Sequence, residues 1–241
     1  MKETDISVTI LMSVYNGETY LPQAIESILQ QTYQQFEFII INDGSTDTSW
    51  RIIQQYAAKD PRIVPILQEN IGLTRSLNKG IQLSKGEFIA RQDADDLSLP
   101  TRLAEQLPWV RERGYDLCCS RTWLMEKCRA TPSISYWLPK KLLMLKQNPF
   151  VHGTYLMRKD RLQALGGYDE FFRYAQDYEL MTRWIDNGFT VKYLRNCLYQ
   201  SRMVNNSISI SRHSEQNEYA RMIRHKWRKN ILKILTSRSY L

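Results

Sequence analysis

Short apolar runs of strand length recur along the first hundred residues, at 7–14, 36–41, 62–67 and 87–91. Between them the apolar spacing changes to three and four. Leu21, Ile25, Ile28 and Leu29 share one helical face, Trp50, Ile53, Tyr56 and Ala57 a second, and Leu73, Leu77 and Ile81 a third. Strand, helix, strand in this rhythm requires right-handed parallel crossovers, so the chain is predicted to be α/β, with a Rossmann-like, mostly parallel central sheet flanked by helices. Such sheets bind ligands at the carboxyl ends of their strands.

After Asp96 the rhythm changes. Pro100 suits the first turn of a helix reaching about Arg113, and a strand follows near 116–124. Residues 125–150 read as an irregular surface excursion punctuated by Pro132, Pro139 and Pro149, with one short helix around 141–146. The pattern then predicts a strand ending near Met157, a helix over 159–165, a turn at Gly166-Gly167, a helix over 176–187 and a strand over 190–194. From Ser214 onward it is helical and basic.

Composition narrows the class. At 241 residues with 43% apolar and 24% charged side chains, the chain suits one large domain and excludes disorder, collagen and coiled coil. The net charge of +8 is uneven: residues 1–120 carry 11 basic and 16 acidic side chains (11 − 16 = −5), residues 121–241 carry 22 and 9 (22 − 9 = +13). The second half therefore favours an anionic partner. No apolar run approaches the roughly 20 residues that span a bilayer, and residues 1–16 lack the basic start and small-residue cleavage site of a signal peptide, so a cytoplasmic location is expected. Cys118, Cys119, Cys128 and Cys197 form no C-x-x-C pair and are read as buried, reduced thiols.

Three strand ends carry candidate chemistry. The first strand exits into Ser13-Val14-Tyr15-Asn16-Gly17 with no G-x-G-x-x-G, and no P-loop occurs, so hydride transfer and NTP hydrolysis lose their main support. The second exits into Asn42-Asp43-Gly44-Ser45-Thr46-Asp47. There an Asp-Gly turn with Ser45 or Thr46 capping the next helix stands beside a second reading, in which Asp43, just beyond the strand, accepts hydrogen bonds from a base or ribose. The fourth exits into Asp93-Ala94-Asp95-Asp96. Three carboxylates in four residues repel one another, and either a solvated turn or a hard divalent cation bridging to a diphosphate relieves this. Position at the end of a central strand, on the edge shared with Asp43, favours the cation.

Together the segments SVYNGETYLPQAIESILQQT (13–32), INDGSTDTS (41–49), NIGLTRSLNKGI (70–81), GEFIARQDADD (86–96), PTRLAEQ (100–106), HGTYLMRKDRLQALGGYDE (152–170) and QDYELMTRW (176–184) resemble the family 2 glycosyltransferases of GT-A fold, in order and over most of residues 7–187. The resemblance implies metal-dependent, inverting transfer of a sugar from a nucleotide diphosphate donor (a UDP-, dTDP- or GDP-sugar) to a glycan or lipid-linked acceptor, in cell-surface polysaccharide, glycolipid or glycan synthesis. It implies one transferase domain over 1–213, with a nucleotide-sugar-binding half (1–98) and an acceptor-side half (99–213), followed by a basic helical tail (214–241). Donor-side residues would be Val14, Tyr15, Asp43, Arg75, Asn78, Asp93 and Ala94. Asp95 would hold Mn2+ or Mg2+, His152, Gly167, Tyr168 and Asp169 would lie on the acceptor side, and Asp177 would be the general base. One carboxylate would thus serve each side of the displacement.

Departures from the family pattern are visible. Gln176 stands where many relatives carry a second acid, so the base role falls to Asp177. Val204 stands where a histidine often supports the metal or diphosphate, which leaves that duty to water, to His213 or to nothing. The rival reading is a catalytically degenerate transferase-like protein that binds anions or a membrane surface, and the presence of Asp43, Asp93, Asp95 and Asp177 together argues against it. The tail over 219–241 has seven basic residues and no acidic one, with Ile223, Trp227, Ile231 and Ile234 or Leu235 on one face. This suits an interfacial helix on the anionic inner face of a membrane, or an ordinary helix docked on the domain. No nucleic-acid motif accompanies the charge, and no nucleic-acid partner is expected.

Overall fold

The computed structural model describes residues 6–132, 143–203 and 212–237, with side chains to 229. Its strands are β1 (Val8–Val14), β2 (Phe36–Asp43), β3 (Ile63–Gln68), β4 (Phe88–Arg91), β5 (Leu97–Ser98), β6 (Leu117–Leu124), β7 (Arg129–Thr131), β8 (Leu156–Arg158) and β9 (Val191–Ser201). The helices are α1 (Leu21–Leu29), α2 (Ser49–Ala57), α3 (Leu73–Leu83), α4 (Arg102–Arg111), α5 (Lys159–Ala164), α6 (Gln176–Asp186) and α7 (His213–Ser237), with a 3-10 turn at His152–Thr154.

The strands form one sheet in the order β3-β2-β1-β4-β8-β6-β9-β5, with β7 paired to β6. Pairs β3-β2, β2-β1, β1-β4 and β6-β9 are parallel, and β8 enters antiparallel between β4 and β6. The expected α/β sandwich of GT-A type is therefore present, with most strands running one way. Because β8 is reversed, the residues that lead into it, 152–155, lie at the edge where β1, β2 and β4 end.

Near-continuous apolar runs in β1, β2 and β4 reflect burial on both faces. Val8, Ile10, Met12 and Val14 pack with Phe36, Phe38 and Ile40 under α1, α2 and α4. The alternate residues Leu11, Ile39, Ile41 and Ile89 pack on the opposite face with Leu77 and Ile81 of α3 and Leu180, Met181 and Trp184 of α6. The period of two along each strand thus sorts one hydrophobic run into two cores.

Several boundaries differ from the pattern reading. β2 continues through Asp43, its last residue, because β3 extends alongside it and pairs Gln68 with Asp43. β9 is much longer than 190–194, since its polar continuation pairs with β6 through a register shift and with the two-residue β5. Ser45 and Thr46 do not cap α2, which starts at Ser49: Ser45 Oγ accepts from the Asn16 amide and the Thr46 amide donates to Asn16 Oδ1, while Asp47 Oδ1 accepts from the Ser49 amide. All four cysteines are free, but only Cys118 and Cys119 are buried, and Cys128 is exposed. Pro139, part of the short helix read over 141–146, and Val204 lie outside the described residues.

The C-terminal helix docks on the domain along the part whose side chains are described. Ile223 and Trp227 are each 2% exposed within the α6-side core, Tyr219 packs against Phe171, Phe172 and Tyr174, and Arg224 donates to the Lys146 carbonyl at 3.2 Å. The first half of the apolar stripe read as membrane-facing is therefore covered by protein. No helix among the described residues is long and apolar enough to cross a membrane.

Candidate active site

The donor-side loops are tied to one another at the sheet edge. Gly17 N donates to Ser49 Oγ at 2.9 Å, Glu18 N to Asp47 Oδ2 at 3.0 Å and Thr48 N to Glu18 Oε2 at 3.0 Å, which leaves Tyr15 standing out at 56% exposure beside them. Asp43 is 2% exposed. Its carboxylate accepts from the backbone amides of Ile71 (3.0 Å) and Gly72 (2.9 Å) and from Gln68 Nε2 (2.7 Å). These bonds stabilise the buried charge and fix the turn into α3.

Arg75 and Asn78, expected on the donor side, both bond to the turn at 168–170. Asn78 Oδ1 accepts from Tyr168 N at 2.8 Å, its Nδ2 donates to Tyr168 O at 2.8 Å, and Arg75 pairs with Glu170 at 3.1 Å. Their helical spacing puts them on the α3 face that meets this turn. Gly167 has φ +76° and a Cβ there would lie 2.6 Å from Asn78 Oδ1, so this packing requires glycine. Asp169 is exposed and accepts from the Phe171 amide at 3.0 Å.

Beneath Asp93-Ala94-Asp95-Asp96 lies a buried polar network. Arg102, fully buried, donates to Gln106 Oε1 (3.1 Å), Ser98 Oγ (2.8 Å), Gln92 Oε1 (3.3 Å) and the carbonyls of Arg91 (2.8 Å) and Tyr155 (3.3 Å). Burial lowers its pKa to about 10, so it remains charged at neutral pH. Arg91, 1% exposed, donates to Asp93 Oδ1 at 2.6 Å, and the Asp93 amide donates to Tyr199 Oη at 3.1 Å. Asp96 is consumed structurally, accepting from Ser201 Oγ and the Arg202 amide, each at 2.9 Å. Arg202 also donates to the Asp95 carbonyl at 2.8 Å.

Asp95 is the acid of this group with no side-chain partner among these bonds. Burial first, and then the Asp93 charge, push its pKa up to about 6. Among the described residues no three His, Cys, Asp or Glu side chains converge on one point. The donor set nevertheless fits a divalent cation: Asp93 is paired with Arg91 and Asp96 is hydrogen-bonded to Ser201 and the Arg202 amide, which leaves the Asp95 carboxylate as an oxygen ligand where magnesium and manganese usually take one or two carboxylates plus substrate phosphates. His213 is exposed at the start of α7 and belongs to no such group.

The acceptor side is built around α6. Ala175 precedes it with a left-handed backbone (φ 58°), an uncommon conformation for a residue with a Cβ. Two residues on, Asp177 Oδ2 accepts from Asn148 Nδ2 at 2.7 Å, and the same Nδ2 donates to Tyr155 Oη at 3.2 Å. Burial raises the Asp177 pKa above the usual carboxylate range, against the hydrogen bond from Asn148, and the Asp93 charge pushes it the same way. Glu179, by contrast, is held by Arg183 at 2.6 Å, and Arg183 also donates to the Leu165 and Gly167 carbonyls. His152 Nε2 meets Tyr168 Oη at 2.7 Å, and burial beside Arg91 lowers its pKa to about 3, so it is neutral and serves packing and hydrogen bonding. A Cβ at Gly153 would run into the Tyr199 phenol, which explains the glycine after His152.

Sequence reasoning had not assigned Arg91, Arg102, Asn148, Tyr199 or Arg202 to the site. Arg91 and Arg102 fall inside quoted motifs, so their signal was present as buried-cation positions beside an acidic cluster. Asn148 sits in the irregular stretch and carried no signal.

A mixed α/β sheet whose carboxyl edge gathers these acids from the loop after β4 and from α6 defines a GT-A type sugar-transfer scaffold. The profile of Glycosyl transferase family 2 matches residues 9–203, and the chain belongs to that family. It is 36% identical over 205 residues to EpsE of Bacillus subtilis (strain 168), assigned as a glycosyltransferase, covering 81% of this chain and 72% of that protein. TuaG of the same organism, assigned to teichuronic acid biosynthesis, is 31% identical over 211 residues, covering 84% and 81%. Among solved structures, Staphylococcus aureus TarS 1-349 in complex with UDP superposes with a TM-score of 0.71 at 19% identity, over 83% of this chain and 61% of that one. The mannosyltransferase PcManGT of Pyrobaculum calidifontis, in complex with GDP-Man and Mn2+, gives 0.69 at 17%, over 85% and 59%. This chain thus spans about three fifths of these two solved chains, and they share its fold. The protein is a glycosyltransferase.

Proposed function

We propose that the protein transfers a sugar from a nucleotide diphosphate donor to an acceptor hydroxyl, with inversion, in the synthesis of a cell-surface polysaccharide. The observation that carries this reading is the pair of under-partnered carboxylates at one sheet edge: Asp95 on the donor side and Asp177 on the acceptor side. Exposed Tyr15 with Val14 borders the place for the base, and Asp43 shapes that place through the 71–72 backbone. Asp93 and Ala94 border the ribose and diphosphate, and Asp95 would hold Mn2+ or Mg2+. The cation, when bound, offsets the charge that develops on the departing diphosphate. The neighbours bound to UDP and to GDP-Man with Mn2+ support a nucleotide-sugar donor and a divalent ion.

Asp177 takes the acceptor proton. Its raised pKa makes it a stronger base than an ordinary carboxylate, and transfer should rise with pH as it ionises. Thermal-shift screening against UDP-, dTDP- and GDP-sugars, with and without manganese, identifies the donor. With that donor, Asp177→Asn should lose roughly 100- to 10,000-fold in transfer, or about 3 to 5 kcal/mol of barrier, and near-parental turnover would refute the base role.

Contact with the inner face of a membrane rests on the basic outward side of α7, where Arg221, Lys226, Arg228 and Lys229 are exposed while Ile223 and Trp227 face inward. Each such cation near an anionic leaflet contributes about 1 kcal/mol before screening. Flotation on vesicles should therefore increase with anionic lipid content, and indifference to it would remove the membrane from this reading.

A further inference from the structure

We infer that Asn148 is a positioning residue that holds the Asp177 carboxylate ionised and aimed toward the acceptor. This rests on the reading of Asp177 as the base and adds a residue to it.

The geometry is specific. Asn148 Nδ2 donates to Asp177 Oδ2 at 2.7 Å, and it is the side-chain donor to that carboxylate. The orientation of the amide is fixed from its other end, because Asn148 Oδ1 accepts from the Phe150 amide at 3.1 Å. With the oxygen occupied by a donor, the nitrogen is the end that must face the carboxylate. The segment that carries Asn148 is itself anchored: the Met144 carbonyl accepts from Tyr178 Oη of α6, the Lys146 carbonyl from Arg224 of α7, and Met144 and Phe150 are buried. A side chain locked at both ends on a docked segment is arranged to orient its partner, and a donor to the charged form of an acid favours ionisation.

The surroundings make the assignment testable. The groups whose charges bear on Asp177 are Asp93 from the loop after β4, Tyr155 ahead of β8 and Tyr168 from the acceptor-side turn. Burial raises both tyrosines, so they stay neutral across the working range, and neighbouring His152, lowered to about 3, is neutral there as well. Asp93 is paired with Arg91 at 2.6 Å.

The test is carboxylate 13C NMR on the full chain labelled at aspartate, with the Asp177 signal assigned by its loss in Asp177→Asn. In Asn148→Leu the Asp177 titration should move up by about one pH unit, and in Asn148→Asp, which adds a negative charge at nearly the same shape, by at least as much. With the donor chosen by thermal shift, the acid limb of kcat against pH should move up with it while donor KM stays parental. A titration that stays in place in either folded variant would overturn the inference, since a merely structural role would lower stability or turnover without moving it. If Asn148→Leu does not fold, the uncharged Asn148→Ala, for which the same rise is expected, decides alone, and a titration that stays in place there overturns the inference. Failure of the base reading looks different: Asp177→Asn would then retain turnover, whatever Asn148 does to the NMR titration.

Discussion

Among the described residues, Asp43 and Asp96 at the sheet edge each have two or more hydrogen-bond donors, whereas Asp177 at the start of α6 is held by one side chain. Asp43 accepts three hydrogen bonds and Asp96 two, and their work is to shape loops. Asp177 has Asn148 and a helix N-terminus that begins after a left-handed alanine. Hydrogen bonds fix each carboxylate in place, while burial raises the pKa of Asp96 and of Asp177 alike, so the two differ in how many donors hold them and not in the direction of their shift. Asp95 differs from Asp93 and Asp96 in having no side-chain hydrogen-bond donor among the described residues, and in the proposed reading that singles it out for an external cation.

The network beneath the donor half offers the largest test of this contrast. Arg102→Met removes a fully buried cation and leaves Gln106 Oε1 and the Arg91 carbonyl without its donors, while Ser98 still donates to Gln92 and the Tyr155 carbonyl still accepts from the Arg91 amide, so urea unfolding should show a loss of about 3 to 5 kcal/mol. A cost within 1 kcal/mol would mean that the floor under Asp93 and Asp95 is not held this way.

A smaller effect separates His152 from Asp177, the proposed base. Because the folded-state pKa of His152 is about 3, below the ordinary histidine value, the unfolded chain binds the additional proton as pH falls. Its contribution to stability is complete above about pH 6.5 and is lost progressively toward pH 3. His152→Gln, which keeps a hydrogen-bonding partner for Tyr168, should lose less stability than the parent between pH 7 and 4.5 when both are unfolded in urea. Parallel losses would indicate that His152 titrates normally.

Much of this architecture was legible in the chain. The four parallel strands, their crossover helices and the acids at their ends follow from short apolar runs and period-three-to-four spacing with turn residues between, because β1, β2 and β4 are buried on both faces while the edge strand β3 keeps an apolar run although it is largely exposed. The second half was harder for physical reasons. β9 carries Arg195, Asn196 and Gln200 and is sustained by pairing with β6 and β5, which no local pattern encodes. Arg75 and Asn78 lie in a motif segment, yet their partners stand some ninety residues away on the 168–170 turn. The apolar stripe of α7 is plain in sequence, but a stripe does not say what covers it, and for Ile223 and Trp227 the cover is the domain itself. Asn148, from an irregular segment, is found only through the distance to Asp177.

The division of labour between Asp95 and Asp177 is tested most directly by calorimetric titration of the donor's nucleoside diphosphate, with manganese and with a chelator, into the parent protein, Asp95→Asn and Asp177→Asn. The account predicts that manganese strengthens binding to the parent, that Asp95→Asn loses this increment by tenfold or more, about 1.4 kcal/mol, and that Asp177→Asn keeps it. Equal affinity in the parent with manganese and with chelator, or loss of the increment in Asp177→Asn, would contradict it.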